Sequence, residues 1–361
     1  MCAALQEMGY KVSLASDIFR PAEFEEMYGV GRTLEKCEHI QIPQFKPVVN
    51  RLSIPQRLQY SRRVWPMFSD TEFDVVFSTQ SSPFILPRKV FHFVYNVSNV
   101  YAYPPAAAKL NIHFTGGGPR GLYLRALRKY AELLWSQRAG TVDWFFAVGS
   151  GILDDLRREG YKASSLAFPP CRVDFRPRFP KKKQVVQVAR LIPDKRLDLY
   201  FEIASKLPDY EFFLLGRDSA LLRELYPGYS EKILSRIPKN VTYIDSTVRD
   251  RPELLEESMV YMYTGSERGI GLALVEGLAA GCTPFSPSEV GANDILESSG
   301  VGVVFDTADD AAAKLRVVLE KEHTRDEVLE ISERAQRFSP EAFHRWIRKV
   351  VDSDGTSSRD S

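Results

Sequence analysis

The sequence is poor in cysteine: Cys2, Cys37, Cys171 and Cys282 are the four in 361 residues, far apart and in no CxxC pair. That leaves no pattern for a disulfide framework or a thiolate zinc site and fits a reducing cytosol. The five histidines are equally scattered, with no HxxxH spacing, so no helix presents two imidazoles to a metal. An excess of one charge is missing too. With 48 Lys and Arg against 47 Asp and Glu, no global field argues for nucleic acid, and any electrostatic recognition must be local. No apolar run approaches the ~20 residues that cross a bilayer, and no secretory leader opens the chain. Neither a Ser-His-Asp nor a paired-carboxylate signature occurs. No G-x-G-x-x-G follows a strand, which weighs against a dinucleotide-dependent oxidoreductase.

At roughly 150 residues per domain, the length predicts two domains. In the first half, strand signals fall at 12–15, 40–42, 75–78, 91–95, 144–148 and 165–168, and helical ones at 54–68, 122–137 and 152–159. The opening stretch Met1–Tyr10 reads as the end of a helix closed by Gly9. A Rossmann half begins with a strand and a glycine-rich turn before that helix. Neither precedes it, which points to a truncated chain or a misassigned start. The Pro- and charge-rich stretch Pro169–Lys183 reads as an interdomain linker.

The second half is more regular. Apolar strands are predicted at 185–189, 212–215, 241–244, 260–263, 283–285 and 301–305. Helices are predicted at 197–207, 220–237, 253–258, 272–280, 294–297, 308–320, 324–338 and 340–351. This alternation means a parallel sheet covered on both faces. The polar end from 352 to 361 reads as disordered.

In such a sheet, ligands bind beyond the C-terminal ends of the strands. There the sequence sets Arg190 and Lys195 after the first strand of the second half, Gly216-Arg217 after the next, and Asp245 after Ile244. The fourth ends in Thr264-Gly-Ser-Glu-Arg-Gly-Ile-Gly271 at a helix start. Fixed cations, free backbone N–H groups and a helix N-terminus are what holds a diphosphate. Solvated charges and a simple glycine turn are the plain alternative. Glu276 stands in a helix otherwise without charge, predicted to be buried on all sides. It therefore needs a partner, either a ligand hydroxyl or a structural donor.

These residues resemble a known family. Arg190-Leu-Ile-Pro-Asp-Lys195 is similar to the R-x4-K element of retaining GT-B glycosyltransferases of family 4. Glu267 and Gly271-Leu-Ala-Leu-Val-Glu276-Gly-Leu-Ala-Ala-Gly281 resemble their E-x7-E signature, with eight intervening residues here rather than seven. Pro169-Pro-Cys171 and Phe338-Ser-Pro-Glu-Ala-Phe343 resemble the domain junction and final crossover of lipid-linked mannosyltransferases of dolichol oligosaccharide assembly. The resemblance implies an α/β GT-B fold of two Rossmann-like parallel-sheet domains. An acceptor-side domain would span 1–175, a donor domain 176–338, a crossover helix 339–352 and a tail 353–361.

It further implies that Arg190 and Lys195 neutralise the diphosphate of a GDP- or UDP-sugar, and that Glu267 contacts the donor sugar. Glu276 would hold the ribose, and Gly216, Arg217, Ile244, Asp245, Gly269, Gly271 and Leu272 would line the donor site. The leaving diphosphate would be stabilised by cations and dipoles, without a metal or other cofactor. The implied activity moves a hexose, mannose among the candidates, with retention onto a glycan or polyprenyl-linked acceptor. His92, Asn96 and His113 are acceptor-side candidates. Basic aromatic segments at 51–68 and 119–138 suit an anionic membrane face or, alternatively, a core-facing stripe with a solvated basic side. They extend the cytosolic expectation to a peripheral one. A non-catalytic subunit of the same fold, binding a partner or a nucleotide sugar without turnover, is the competing reading.

Overall fold

The computed structural model describes residues 2–16, 19, 21–22, 31–41, 76–78, 90–94, 144–158, 164–219, 222–223, 226–267, 270–288 and 290–352. They divide between two compact units. One comprises 1–148, 152–167 and 343–361; the other comprises 149–151 and 168–342.

In the first unit the helix Cys2–Glu7 ends as the sequence predicts. Gly9 takes a φ of +85°, Gly9 N donates to Gln6 O (3.0 Å), and Tyr10 N donates to Leu5 O (3.0 Å). This is the left-handed cap that glycine adopts without steric cost. Strands β1 (Ser13–Ser16) and β2 (Glu38–Gln41) pair in parallel. A four-stranded sheet runs β3 (Val76–Ser78), β4 (Val90–Val94), β5 (Trp144–Ala147) and β6 (Ser164–Leu166), all parallel. The helix Pro340–Asp352 sets Phe343, Trp346, Ile347 and Val350 on one face at helical spacing. They pack with Ala4, Phe146 and Ala167. Phe146 and Trp346 meet edge to face at 4.6 Å. The segments 54–68 and 122–137 lie outside the described residues.

The second unit is built on six parallel strands: β7 (Lys182–Val188), β8 (Glu211–Leu215), β9 (Val241–Ile244), β10 (Ser258–Met262), β11 (Thr283–Pro287) and β12 (Val303–Phe305). Their order in space is β12-β11-β10-β7-β8-β9. Side chains alternate along each strand, so both faces are apolar. Val185, Phe212, Leu214, Val260 and Met262 enter one core with the helices Leu197–Ser205 and Ala308–Glu320. Val186, Leu215, Tyr261 and Tyr263 enter the other, with the helices Leu272–Ala279 and Asn293–Ser299. Two covered faces are why these strands read as continuous apolar runs.

One expectation is corrected here. The helix predicted over 220–237 is interrupted: Pro227 precedes Gly228 at φ +71°, and a regular helix forms at Tyr229–Leu234. The stretch taken for a linker has no regular structure before β7, yet it is firmly held. Cys171 and Phe175 are buried in the second core. Cys171 N donates to Phe338 O at 2.8 Å.

Candidate functional site

The strand order reverses between β7 and β10. The chain leaves β7 for β8 and β9 on one side, then returns to β10 on the other. In open α/β sheets the crevice at that reversal, beyond the strand C-termini, is the binding position. Here it is bordered by the segment after β7, which carries Arg190 and Lys195, and the segment after β10, which carries Tyr263 to Gly271.

The β7 segment makes a short 3-10 turn, Pro193–Lys195, closed by Arg196 at φ +47°. A left-handed non-glycine residue is uncommon and costs on the order of 1 kcal/mol, so its neighbours must hold it. They do so through β10's continuation. Gln187 Nε2 donates to Thr264 Oγ1 at 2.8 Å, and Thr264 Oγ1 donates to Lys195 O at 2.8 Å. Ser266 N donates to Asp194 O at 2.9 Å. Gln187 and Thr264 are buried, where satisfied hydrogen bonds are obligatory.

The two cations meet at Glu267. Lys195 Nζ pairs with Glu267 Oε2, and an Arg190 guanidinium nitrogen lies 3.9 Å from Glu267 Oε1. Tyr263 donates its hydroxyl to the same Oε2 at 2.8 Å. Burial pushes the Tyr263 hydroxyl far above the usual tyrosine range, and Glu267 adds to the rise, so it remains a donor. Lys195 Nζ also stands 5.7 Å from the Tyr263 ring centroid, within cation–π range. Glu267 thus reaches the cations despite the additional residue between it and Glu276.

Gly271 precedes the helix Leu272–Ala279. A Cβ at Gly271 would lie 2.7 Å from the Tyr263 ring, so a side chain there would displace it. The helix is not buried on all sides, contrary to expectation. Leu272 is 39% exposed, and Ala273 and Glu276 are half-buried. Positions 272, 273 and 276 form one stripe of the helix. Burial pushes the Glu276 carboxyl up to about 7, Arg172 opposing and Asp174 adding to the shift. No hydrogen bond to this carboxylate is found among the described residues. Nearby, Cys171 Sγ donates to Leu272 O at 3.3 Å, and the Arg172 guanidinium binds Asp174 at 2.6 Å.

Gly216, Arg217, Ile244 and Asp245 lie along the same sheet edge, after β8 and at the end of β9. A Cβ on Gly216 would overlap the Ala189 carbonyl, so this glycine allows the ends of β7 and β8 to approach. Arg217 lies 3.8 Å from Asp250. Asp245 Oδ1 accepts from Asp218 N at 3.1 Å, and the Ile244 carbonyl accepts from Gly216 N at 3.2 Å. His92 sits on β4, level with Ser78 and Phe145. Gly269, Asn96 and His113 lie outside the described residues. Tyr263, Thr264 and Gln187 were not singled out from sequence. A tyrosine or threonine after a buried strand has no pattern of its own, although the two glycines flanking the Tyr263 ring are a usable hint.

Among the described residues no group of three His, Cys, Asp or Glu side chains is placed to hold a metal. All four cysteines are free. No helix among the described residues is long and apolar enough to cross a membrane.

The fold is shared with solved glycosyltransferase-type chains. Sucrose-phosphate synthase from Thermosynechococcus elongatus superposes with a TM-score of 0.67 at 13% identity, covering 97% of this chain and 90% of that one. A glycosyltransferase from Rickettsia africae gives 0.64 at 12% identity, covering 99% and 93%. HepE from Anabaena, solved with UDP and glucose, gives 0.62 at 12% identity, covering 95% and 99%. No curated protein sequence matches the chain. The architecture is therefore GT-B, as the resemblance implied. The family described as glycosyl transferases group 1 matches residues 173–342, the segment carrying every donor-side candidate named above. That segment, about half of the chain, is what is similar to the glycosyl transferases group 1 family, and it lies within the unit built on β7 to β12.

Proposed function

We propose that the protein transfers a hexose, mannose among the candidates, from a GDP- or UDP-sugar to a glycan or polyprenyl-linked acceptor with retention of configuration. The observation that carries this reading is the meeting of Arg190 and Lys195 beside the glycine-fronted helix Leu272–Ala279 at the reversal of strand order. Two cations and a helix N-terminus suit a diphosphate, whose departing charge they stabilise most in the transition state. In this reading Gly271 offers its backbone to a phosphate and Glu267 contacts the donor sugar. Glu276 accepts from ribose hydroxyls, and Gly216, Arg217, Ile244 and Asp245 border the base. Leu272 flanks the nucleotide with its exposed side chain.

Residues 176–338 then carry the donor. Residues 1–175 carry the acceptor, with His92, Asn96 and His113 as its candidates, and 339–352 form the crossover helix. That HepE was solved with UDP and glucose supports a nucleotide-sugar donor for a chain of this fold. The reaction runs in the cytosol, the basic aromatic stretches adding a peripheral membrane contact. A leaving diphosphate that itself assists acceptor deprotonation makes a strong protein nucleophile unnecessary.

The test is direct. Charge-assisted contacts of this kind contribute about 1.5–3 kcal/mol each. Arg190→Ala and Lys195→Ala should each weaken nucleoside-diphosphate binding roughly tenfold or more in calorimetry. Unchanged affinity in both variants would remove the diphosphate site. Donor binding without turnover towards any acceptor would favour the non-catalytic subunit instead.

A further inference from the structure

One carboxylate already occupies the cations assigned to the donor. Glu267 takes Lys195 on one oxygen and stands near Arg190 with the other. A diphosphate approaching the same two cations brings like charge against Glu267, an interaction that is strong where water is partly excluded. We propose that Glu267 is the resident anion of the diphosphate site, and that the Tyr263 hydroxyl is the positioning group that keeps Glu267 bound when Lys195 is ceded to the donor. This rests on the reading of Arg190 and Lys195 as diphosphate ligands.

The geometry supports the second half as closely as the first. Tyr263 Oη and Lys195 Nζ share Glu267 Oε2. Removing the cation therefore leaves the carboxylate with a neutral donor rather than none. Such a remaining bond matters, because a partly buried carboxylate without any partner is costly. The tyrosine itself is hard to move. It is 4% exposed, and side chains at Gly265 or Gly271 would overlap its ring. The Glu267 backbone is fixed as well: its carbonyl accepts from Gly291 N at 3.1 Å, and the adjoining Ser266 N donates to Asp194 O. Exchange of partners at Glu267 is thus a side-chain rotation about a fixed backbone, with Tyr263 as the fixed end. Its hydroxyl stays protonated throughout the working range because burial raises its titration.

The experiment is a double-mutant cycle on the full chain, with Tyr263→Phe, Glu267→Gln and the pair, titrated with UDP, GDP and pyrophosphate by calorimetry. Glu267→Gln removes the competing charge and should tighten binding about threefold or more. Tyr263→Phe should weaken it about fivefold. In the Glu267→Gln background the Tyr263→Phe loss should vanish, whereas a general packing role would give the same loss in both backgrounds. Melting curves establish that each variant is folded. An unchanged affinity in Tyr263→Phe, or an equal loss in both backgrounds, overturns the inference while leaving the diphosphate site standing. If the unaltered protein binds none of the three probes, both fall together.

Discussion

At the scale of single residues, Glu276 separates ligand binding from stability. Its carboxyl titrates at about 7 in the folded chain because of burial, against an ordinary 4.5. The folded state therefore holds this proton more tightly than the unfolded state does. Its contribution to stability is full below about 4.5 and declines as pH rises towards about 7. Glu276→Gln should flatten that slope and melt no lower than the parent at pH 8. If the carboxylate accepts from a donor hydroxyl, the same change should weaken donor binding at least tenfold, and binding by the parent should strengthen as pH rises through about 7. Lower melting with undiminished donor affinity would remove Glu276 from the site. The sequence marked Glu276 because one charge stood in an apolar helix. It singled out neither Tyr263, which meets Lys195 across the sheet edge, nor the left-handed Arg196, whose turn is held by Thr264 and Ser266, distant in the chain.

At the scale of elements, the helix Leu272–Ala279 is positioned by a close approach to the sheet. A Cβ on Gly277 would overlap the Tyr261 ring, tighter than side chains pack. Gly277→Ala should therefore destabilise the protein by about 1–3 kcal/mol despite alanine's better helix propensity. It should also displace Glu276 at the neighbouring position. Thermal unfolding and a donor titration on this variant check both, and an unchanged or raised melting temperature would show that the packing can relax. Element type was legible wherever a run had one dominant period, as in Ala308–Glu320, whose bounds agree with expectation. It failed over 220–237, where an apolar periodicity outweighed the Pro227-Gly228 break. The buried-helix expectation for 272–280 failed differently. Apolar residues on every side do not require burial on every side, and Leu272 remains exposed at the sheet edge.

For the whole molecule, a ligand that binds only the folded chain stabilises it by mass action. Nucleoside diphosphate at 100 times its dissociation constant should add about 2.7 kcal/mol to the unfolding free energy. A metal-independent transferase should keep both that thermal shift and its turnover after exhaustive chelation. Loss of either on chelation, with recovery on adding Mg²⁺, would replace the cation-based account with a metal-based one.

The α/β class of this protein is legible in its residue order. Mostly apolar strand runs alternating with helices demand a parallel sheet covered on both sides, and the residues that follow such strands must lie on one edge. That suffices to put Arg190, Lys195 and the segment before Gly271 on the C-terminal border of the sheet. It does not say which strand ends adjoin, because local periodicity is indifferent to lateral order. Packing of the whole sheet set β7 beside β10 and so joined Lys195, Tyr263 and Glu267 across 72 residues of chain. Likewise, helical spacing marked the apolar face of Pro340–Asp352, but nothing in that spacing says what it covers. Its packing against Ala4 and Phe146 is decided by which other apolar surfaces the folded chain leaves open.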